Sequence, residues 1–275
     1  MTEPRSRGVL YPARLPSFTR VGPEGAELAL IVHFWVPEWH IEPGRVSRQH
    51  VIGYPASNLV VGPEQALVSG PTTKRSHRDL TGSGWAVGAM LRPAAVATVV
   101  GDPFALRDTE AVLDAPELVE AVGGAMRTTG EERIRTACRA LGAWIVERVG
   151  EPHPEALLAN ELARVVDGDP EVRQLAELAA RLGVSQRTVT RLARRHVGMT
   201  PAAMIRRRRL QEAAEELRSD PGVPLAEVAA RHGYADQSHL SREVRAVLGF
   251  TPTGYRADAA AASDSAAQHR RFPGL

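Results

Sequence analysis

The last hundred residues of the chain carry the same helix-turn-helix pattern twice, and this repeat restricts the fold more than any other feature of the sequence. The first copy runs from Leu175 through Ala176, Ala179, Ala180, Gly183, Ser185 and Arg191 to Gly198, Thr200 and Pro201. The second runs from Leu225 through Ala226, Ala229, Ala230, Gly233, Asp236 and Arg242 to Gly249, Thr251 and Pro252. Gly183 and Gly233 lie 50 apart, Gly198 and Gly249 lie 51 apart (249 − 198), so the second turn holds one extra residue.

Each copy obeys helix physics by itself. The alanines make a slim first helix, and Gly183 or Gly233 supplies the left-handed residue that stops it. Ser185 and Asp236 stand just before new helical patterns, where a side-chain oxygen accepts from unpaired backbone amides, so both read as N-caps. Val189 and Leu192 in one recognition-type helix, and Leu240, Val244 and Val247 in the other, recur at helical spacing and face inward. Gln186, Arg187, Thr190, Arg191 and Arg194 then face outward in the first, and Gln237, Ser238, Ser241, Arg242 and Arg245 in the second. With Ser185, these are the side chains suited to phosphates and base edges. Thr200 caps and Pro201 opens a third helix, expected to reach about Arg218 before Asp220, Pro221 and Gly222 break it. Its span of roughly 27 Å compares with the ~34 Å between successive major-groove faces of B-DNA, so a rigid spacer of this length sets both motifs on one side of a duplex.

Residues from about 155 to 257 resemble the DNA-binding domain of AraC/XylS-type transcriptional regulators. The stretch from Gly233 through Tyr234, Asp236, Gln237, Ser238, His239, Leu240, Ser241 and Arg242 to Gly249, Phe250, Thr251, Pro252, Tyr255 and Arg256 carries the likeness, and Arg209, Leu210, Ala213 and Leu217 fit that family's linker helix. Two positions depart from it: the aromatic late in each recognition helix is Ala193 in the first copy and Val244 in the second. The resemblance implies a sequence-specific DNA-binding transcriptional regulator that is not an enzyme. Its partners would be double-stranded DNA and, further, RNA polymerase.

Charge distribution supports the same partner. The net formal charge is only +2, yet between Gln186 and Arg209 there is no acidic residue against eight arginines, Arg206, Arg207, Arg208 and Arg209 among them. A solvated helical face is the ordinary role of such a run. Its position across a recognition helix and the spacer makes it a phosphate-neutralising footprint, expected to give steeply salt-dependent affinity. The alternative is a ligand-binding protein or enzyme whose helical C-terminal part docks a protein partner. Residues 1–150 offer no nucleophile-base constellation to support it.

The length fits about two domains. Residues 1–115 read as a β-rich regulatory or effector-binding domain, 116–150 as connecting or dimerisation helices, 151–257 as the tandem helix-turn-helix domain, and 258–275 as a disordered tail rich in Ala, Ser and Asp. Glu27 to Val36 is expected as a strand with Leu28, Leu30, Val32 and Phe34 on one face and Ile31, His33 and Trp35 on the other. Further strands at Asn58 to Val61, Ala66 to Ser69 and Trp85 to Leu91 suggest an antiparallel barrel or jelly-roll-like sheet, giving an α+β protein. The order of elements resembles the small-molecule-sensing domains attached to many AraC-type regulators, without naming an effector. His33, Trp35 and Trp85 are the candidates to line an effector pocket; core packing is the competing role of the aromatics.

Histidines 33, 40, 50 and 77 contain no His-x-His pair, so no metal site and no cofactor are expected. Cys138 is the sole cysteine, which excludes a disulfide framework, and its spacing with Ile134, Leu141 and Ile145 marks a buried thiol. The stripe of Ile134, Cys138, Leu141, Ile145 and Val149 needs a partner, either its own sheet or a second copy in a homodimer. Met1 to Arg5 has no apolar signal core and no apolar run reaches membrane length, so a cytoplasmic location without membrane contact is expected.

Overall fold

A computed structural model describes residues 17–51, 56–74, 76–130, 132–220, 222–249 and 251–255, so the expected tail at 258–275 lies outside the described residues. Among the described residues, the first half holds nine antiparallel strands: β1 (Ser17–Val21), β2 (Ile31–His40), β3 (Ser47–Val51), β4 (Asn58–Val61), β5 (Ala66–Ser69), β6 (Ser76–Leu80), β7 (Ser83–Trp85), β8 (Val87–Leu91) and β9 (Glu110–Leu113). The main sheet has the order β1-β2-β8-β4-β5-β9, with β7 alongside β2, while β3 and β6 pair as a separate ribbon. This bears out an antiparallel sheet joined to a helical C-terminal part. The sheet is open, however: β1 and β9 are its two ends and do not pair, so the expected barrel is corrected to an unclosed sheet.

The alternation read into residues 27–36 also breaks. Residues Gly25–Ala29 form a short 3-10 helix, and the register of β2 against β8 shifts between Ile31 and His33. A bulge of this kind inserts one residue and changes the parity of the positions after it. Ile31, Phe34 and Val36 are therefore all buried, while Leu28 is exposed.

Helices α1 (Pro93–Val99), α2 (Pro116–Arg127) and α3 (Glu132–Val149) cover the sheet. Proline at the first helical position begins α1 and α2, where its missing N–H costs no hydrogen bond. The stripe of α3 is spent on this core: Cys138, Leu141 and Ile145 are fully buried with Phe34, Leu59 and Leu91, and Ile134 and Val149 pack against them. Its partner is its own sheet. Burial pushes the Cys138 thiol up to about 12, which keeps it protonated and unreactive.

The second half is helical, with α4 (Pro154–Gly168), α5 (Leu175–Leu182), α6 (Gln186–Leu192), α7 (Pro201–Ser219), α8 (Leu225–Arg231) and α9 (Gln237–Leu248). Two small cores flank α7. Leu162, Leu178, Val189, Leu192 and Met204 fill the first, and Leu210, Leu217, Val228, Leu240 and Val244 the second. The halves are not independent. Ala156 of α4 belongs to the core of the sheet half, and Asn160 spans the junction, accepting from the Ala94 amide (2.9 Å) and donating to the Ala29 carbonyl (2.8 Å). Among the described residues no helix is long and apolar enough to cross a membrane, and no three His, Cys, Asp or Glu gather as metal ligands.

Candidate nucleic-acid interface

The local geometry of both motifs follows from a few residues. Gly183 and Gly233 are left-handed, with φ of 65° and 67°. Ser185 Oγ accepts from the Thr188 amide (3.1 Å) and Asp236 Oδ1 from the His239 amide (2.7 Å), so α6 and α9 start where the sequence placed them. Thr200 caps α7 in the same way, accepting from the Ala203 amide at 3.2 Å. At 19 residues, α7 spans roughly 28 Å. Beyond Leu192 the chain continues as a π-helical turn, Ala193–Val197, that ends at left-handed Gly198.

Of the candidate DNA-contacting residues, Gln186, Arg187, Thr190, Arg191 and Arg194 are exposed on the first motif, and Gln237, Ser238, Arg242 and Arg245 on the second; Ser241 is half-buried. Arg187, Arg242 and Arg245 take no acidic partner among the described residues. Others are engaged within the protein. Ser185 is committed to its cap, and the Thr190 hydroxyl donates back to the Gln186 carbonyl at 2.9 Å. Arg194 lies over the Phe104 ring, 4.3 Å from its centroid, and Arg191 Nη1 donates to Glu155 Oε2 at 2.7 Å.

The four consecutive arginines of α7 do not form one outward face. Arg206 is exposed and sits 3.6 Å from Glu243. Arg207 is buried, and that burial pulls its guanidinium down to about 10 against the attraction of Asp108 and Glu243. Arg208 is also buried; it donates to the carbonyls of Val166 (3.0 Å), Asp169, Pro170 (3.4 Å) and Val172 (3.0 Å), which close the end of α4 and the loop beyond it. Arg209 donates to His232 (2.6 Å) and Gly233 carbonyls and covers the Tyr234 ring at 4.8 Å, clamping the turn of the second motif. These placements tell against phosphate contacts from Arg207, Arg208 and Arg209: Arg207 is buried, and Arg208 and Arg209 hold the two motifs to α7. Helical phase carries the missed signal, since four successive residues fan around the axis at about 100° each and cannot share a face.

The proposed effector residues do not converge. His33 lines a cleft of about 320 Å3 between the sheet and the helical half, together with Arg20, Arg92, Asn160 and His196. Trp35 and Trp85 are absent from it. The Trp35 indole lies against Gly88 of β8, where a Cβ would come within 2.1 Å of the ring, and donates to Asn58 Oδ1 at 3.1 Å; Trp85 packs on the core. Sequence reading also missed Glu155, whose carboxylate meets Arg191, Arg195 and His196 from α4, outside both motifs.

Comparison with known proteins places these features in context. A helix-turn-helix domain family matches residues 178–258, and a domain of unknown function (DUF6597) matches residues 20–111. A probable bifunctional transcriptional activator/DNA repair enzyme, AlkA, of Mycobacterium tuberculosis is 33% identical over 110 residues, covering 40% of this chain and 22% of that protein. The HTH-type transcriptional activator RhaS of Escherichia fergusonii is 32% identical over 108 residues, covering 39% of this chain and 38% of that one. The chain thus spans well under half the length of either relative. Among solved structures, ToxT from Vibrio cholerae aligns over 82% of this chain and 97% of its own, with a TM-score of 0.43 and 9% identity.

Proposed function

We propose that this chain is a sequence-specific DNA-binding regulator of transcription, a reading supported by the helix-turn-helix family that matches residues 178–258. The observation that carries the reading is the pair of capped helices, α6 and α9, each presenting unpartnered guanidinium and amide groups at the two ends of one stiff spacer. Arg187, Thr190 and Arg191 on one, and Gln237, Ser241 and Arg242 on the other, are the base-reading groups; Arg194, Arg206 and Arg245 serve phosphates. The sheet half acts on this reading through its packing against α4 and the π-helical turn, and a small molecule in the cleft beside His33 would act along the same route.

Selection from a randomised duplex library with the full chain tests the proposal. A bipartite preferred sequence with half-sites about one helical turn apart is expected, bound with an affinity that falls steeply from low to high salt. Binding that selects no sequence would refute it.

A further inference from the structure

An acidic residue in the first turn of a helix is ordinary, because it complements the helix dipole, and Glu155 occupies that place in α4. What the dipole does not account for is where both carboxylate oxygens go. Oε2 receives Arg191 Nη1 at 2.7 Å, while Oε1 lies 3.5 Å from both Arg195 Nη1 and His196 Nε2. The arginine beside it holds the Glu155 carboxyl below the usual range, so it is charged at neutral pH.

The carboxylate is itself steadied. His196 is 5% exposed, and its Nδ1 lies 3.3 Å from the Pro93 carbonyl at the start of α1. A chain of contacts therefore runs from the sheet half through His196 and Glu155 to Arg191. Isolated surface ion pairs contribute little, because two long side chains must be immobilised to form them. Here one partner is already fixed from behind. Arg191 spends only Nη1 on the pair; Nε and Nη2 take no partner among the described residues, leaving one edge of the planar fork for the two acceptors of a guanine.

We propose that Glu155 is a positioning residue for base recognition: it holds Arg191 so that the Nε–Nη2 edge is presented to the major groove. This rests on the reading of α6 as a recognition helix, and it adds a specificity-determining residue from outside either helix-turn-helix motif.

The test uses the full chain and the duplex that it selects. Arg191→Ala first identifies the base pair whose preference is lost. Glu155→Ala is then expected to lower discrimination at that base pair about tenfold. Its affinity for unrelated duplexes should stay constant or rise, because a negative charge leaves a surface that faces phosphates. Glu155→Gln keeps an acceptor for Arg191 and recovers part of the discrimination, and it is the isosteric variant to use if Glu155→Ala fails to fold. Adding Glu155→Ala to Arg191→Ala should change nothing further at that base pair.

If Arg191→Ala relaxes the preference while neither Glu155 variant does, the positioning role falls and the DNA-binding reading stands. Equal tightening on preferred and unrelated DNA overturns it in favour of a carboxylate that merely screens Arg191. A uniform loss at all base pairs, with lowered thermal stability, overturns it in favour of a structural pair. If Arg191→Ala leaves every preference intact, the base-reading assignment of Arg191 and the role of Glu155 fall together.

Discussion

At the scale of single residues, arginines that look alike in sequence divide by what surrounds them. Arg208 ties down four carbonyls and Arg209 two, from neighbouring positions on one helix toward opposite motifs. Buried carbonyls that lose a charged donor are costly, so Arg208→Ala is expected to destabilise the protein by about 3 kcal/mol, read as a lower Tm. Arg187→Ala should leave Tm within a degree or two and relax base preference by ~1–3 kcal/mol. An Arg208→Ala protein of unchanged Tm would return that residue to the phosphate contacts. His232 adds a pH dependence. Glu212 and Glu216 of α7 favour its charged form and raise it above its ordinary 6.5 against the opposing effect of burial. A group raised on folding contributes stability in full below its unfolded value, and loses it as pH rises through the folded one. The second motif should therefore weaken above pH 6.5, and His232→Gln should flatten the Tm profile across that window.

At the scale of elements, what was legible depended on whether a local rule decided the structure. Ser185, Asp236, Thr200, Gly183 and Gly233 act within a turn or two, and each sits as sequence reasoning placed it. The start of the connecting helices at Pro116 was equally plain, set by proline at the first helical position. Strands β1, β3, β6 and β9 were not legible; they are short, and several follow no apolar alternation, because pairing partners far along the chain define them. The bulge in β2 inverted a correct alternation for the same reason. A test of the turns is Gly233→Val. With φ of 67° at this position, a β-branched side chain imposes ~1–3 kcal/mol of strain beside Arg209, whose Nη2 lies 3.4 Å from where a Cβ would stand. Specific DNA affinity should collapse while the unfolding of the sheet half is unchanged; wild-type affinity in a folded variant would disprove the placement of the turn.

At the scale of the whole molecule, the two halves share surfaces that neither half's sequence announces. Residues 150–257 hold both motifs, so a fragment starting there should bind duplex DNA with a steep salt dependence. It should also bind more weakly than the full chain, with the loss confined to base pairs read by α6, because the support of the π-helical turn is gone. There, Gly198 touches the Pro103 carbonyl so closely that a Cβ would approach to 2.4 Å, and Phe104 covers Arg194. Comparing selected sequences for fragment and full chain checks this, and a fragment that equals the full chain at both half-sites would contradict it. The same junction bears on how such genes can recombine. Gly150 to His153 looks like a natural crossover point between the sheet half and the helical half. Yet Ala156 completes the core of the sheet half and Asn160 bonds two of its backbone groups. A graft joined at that loop would import a helix moulded to the wall of a domain it no longer meets, so the inheritable unit extends through α4, and exchange of the sheet half demands that the helix travel with it.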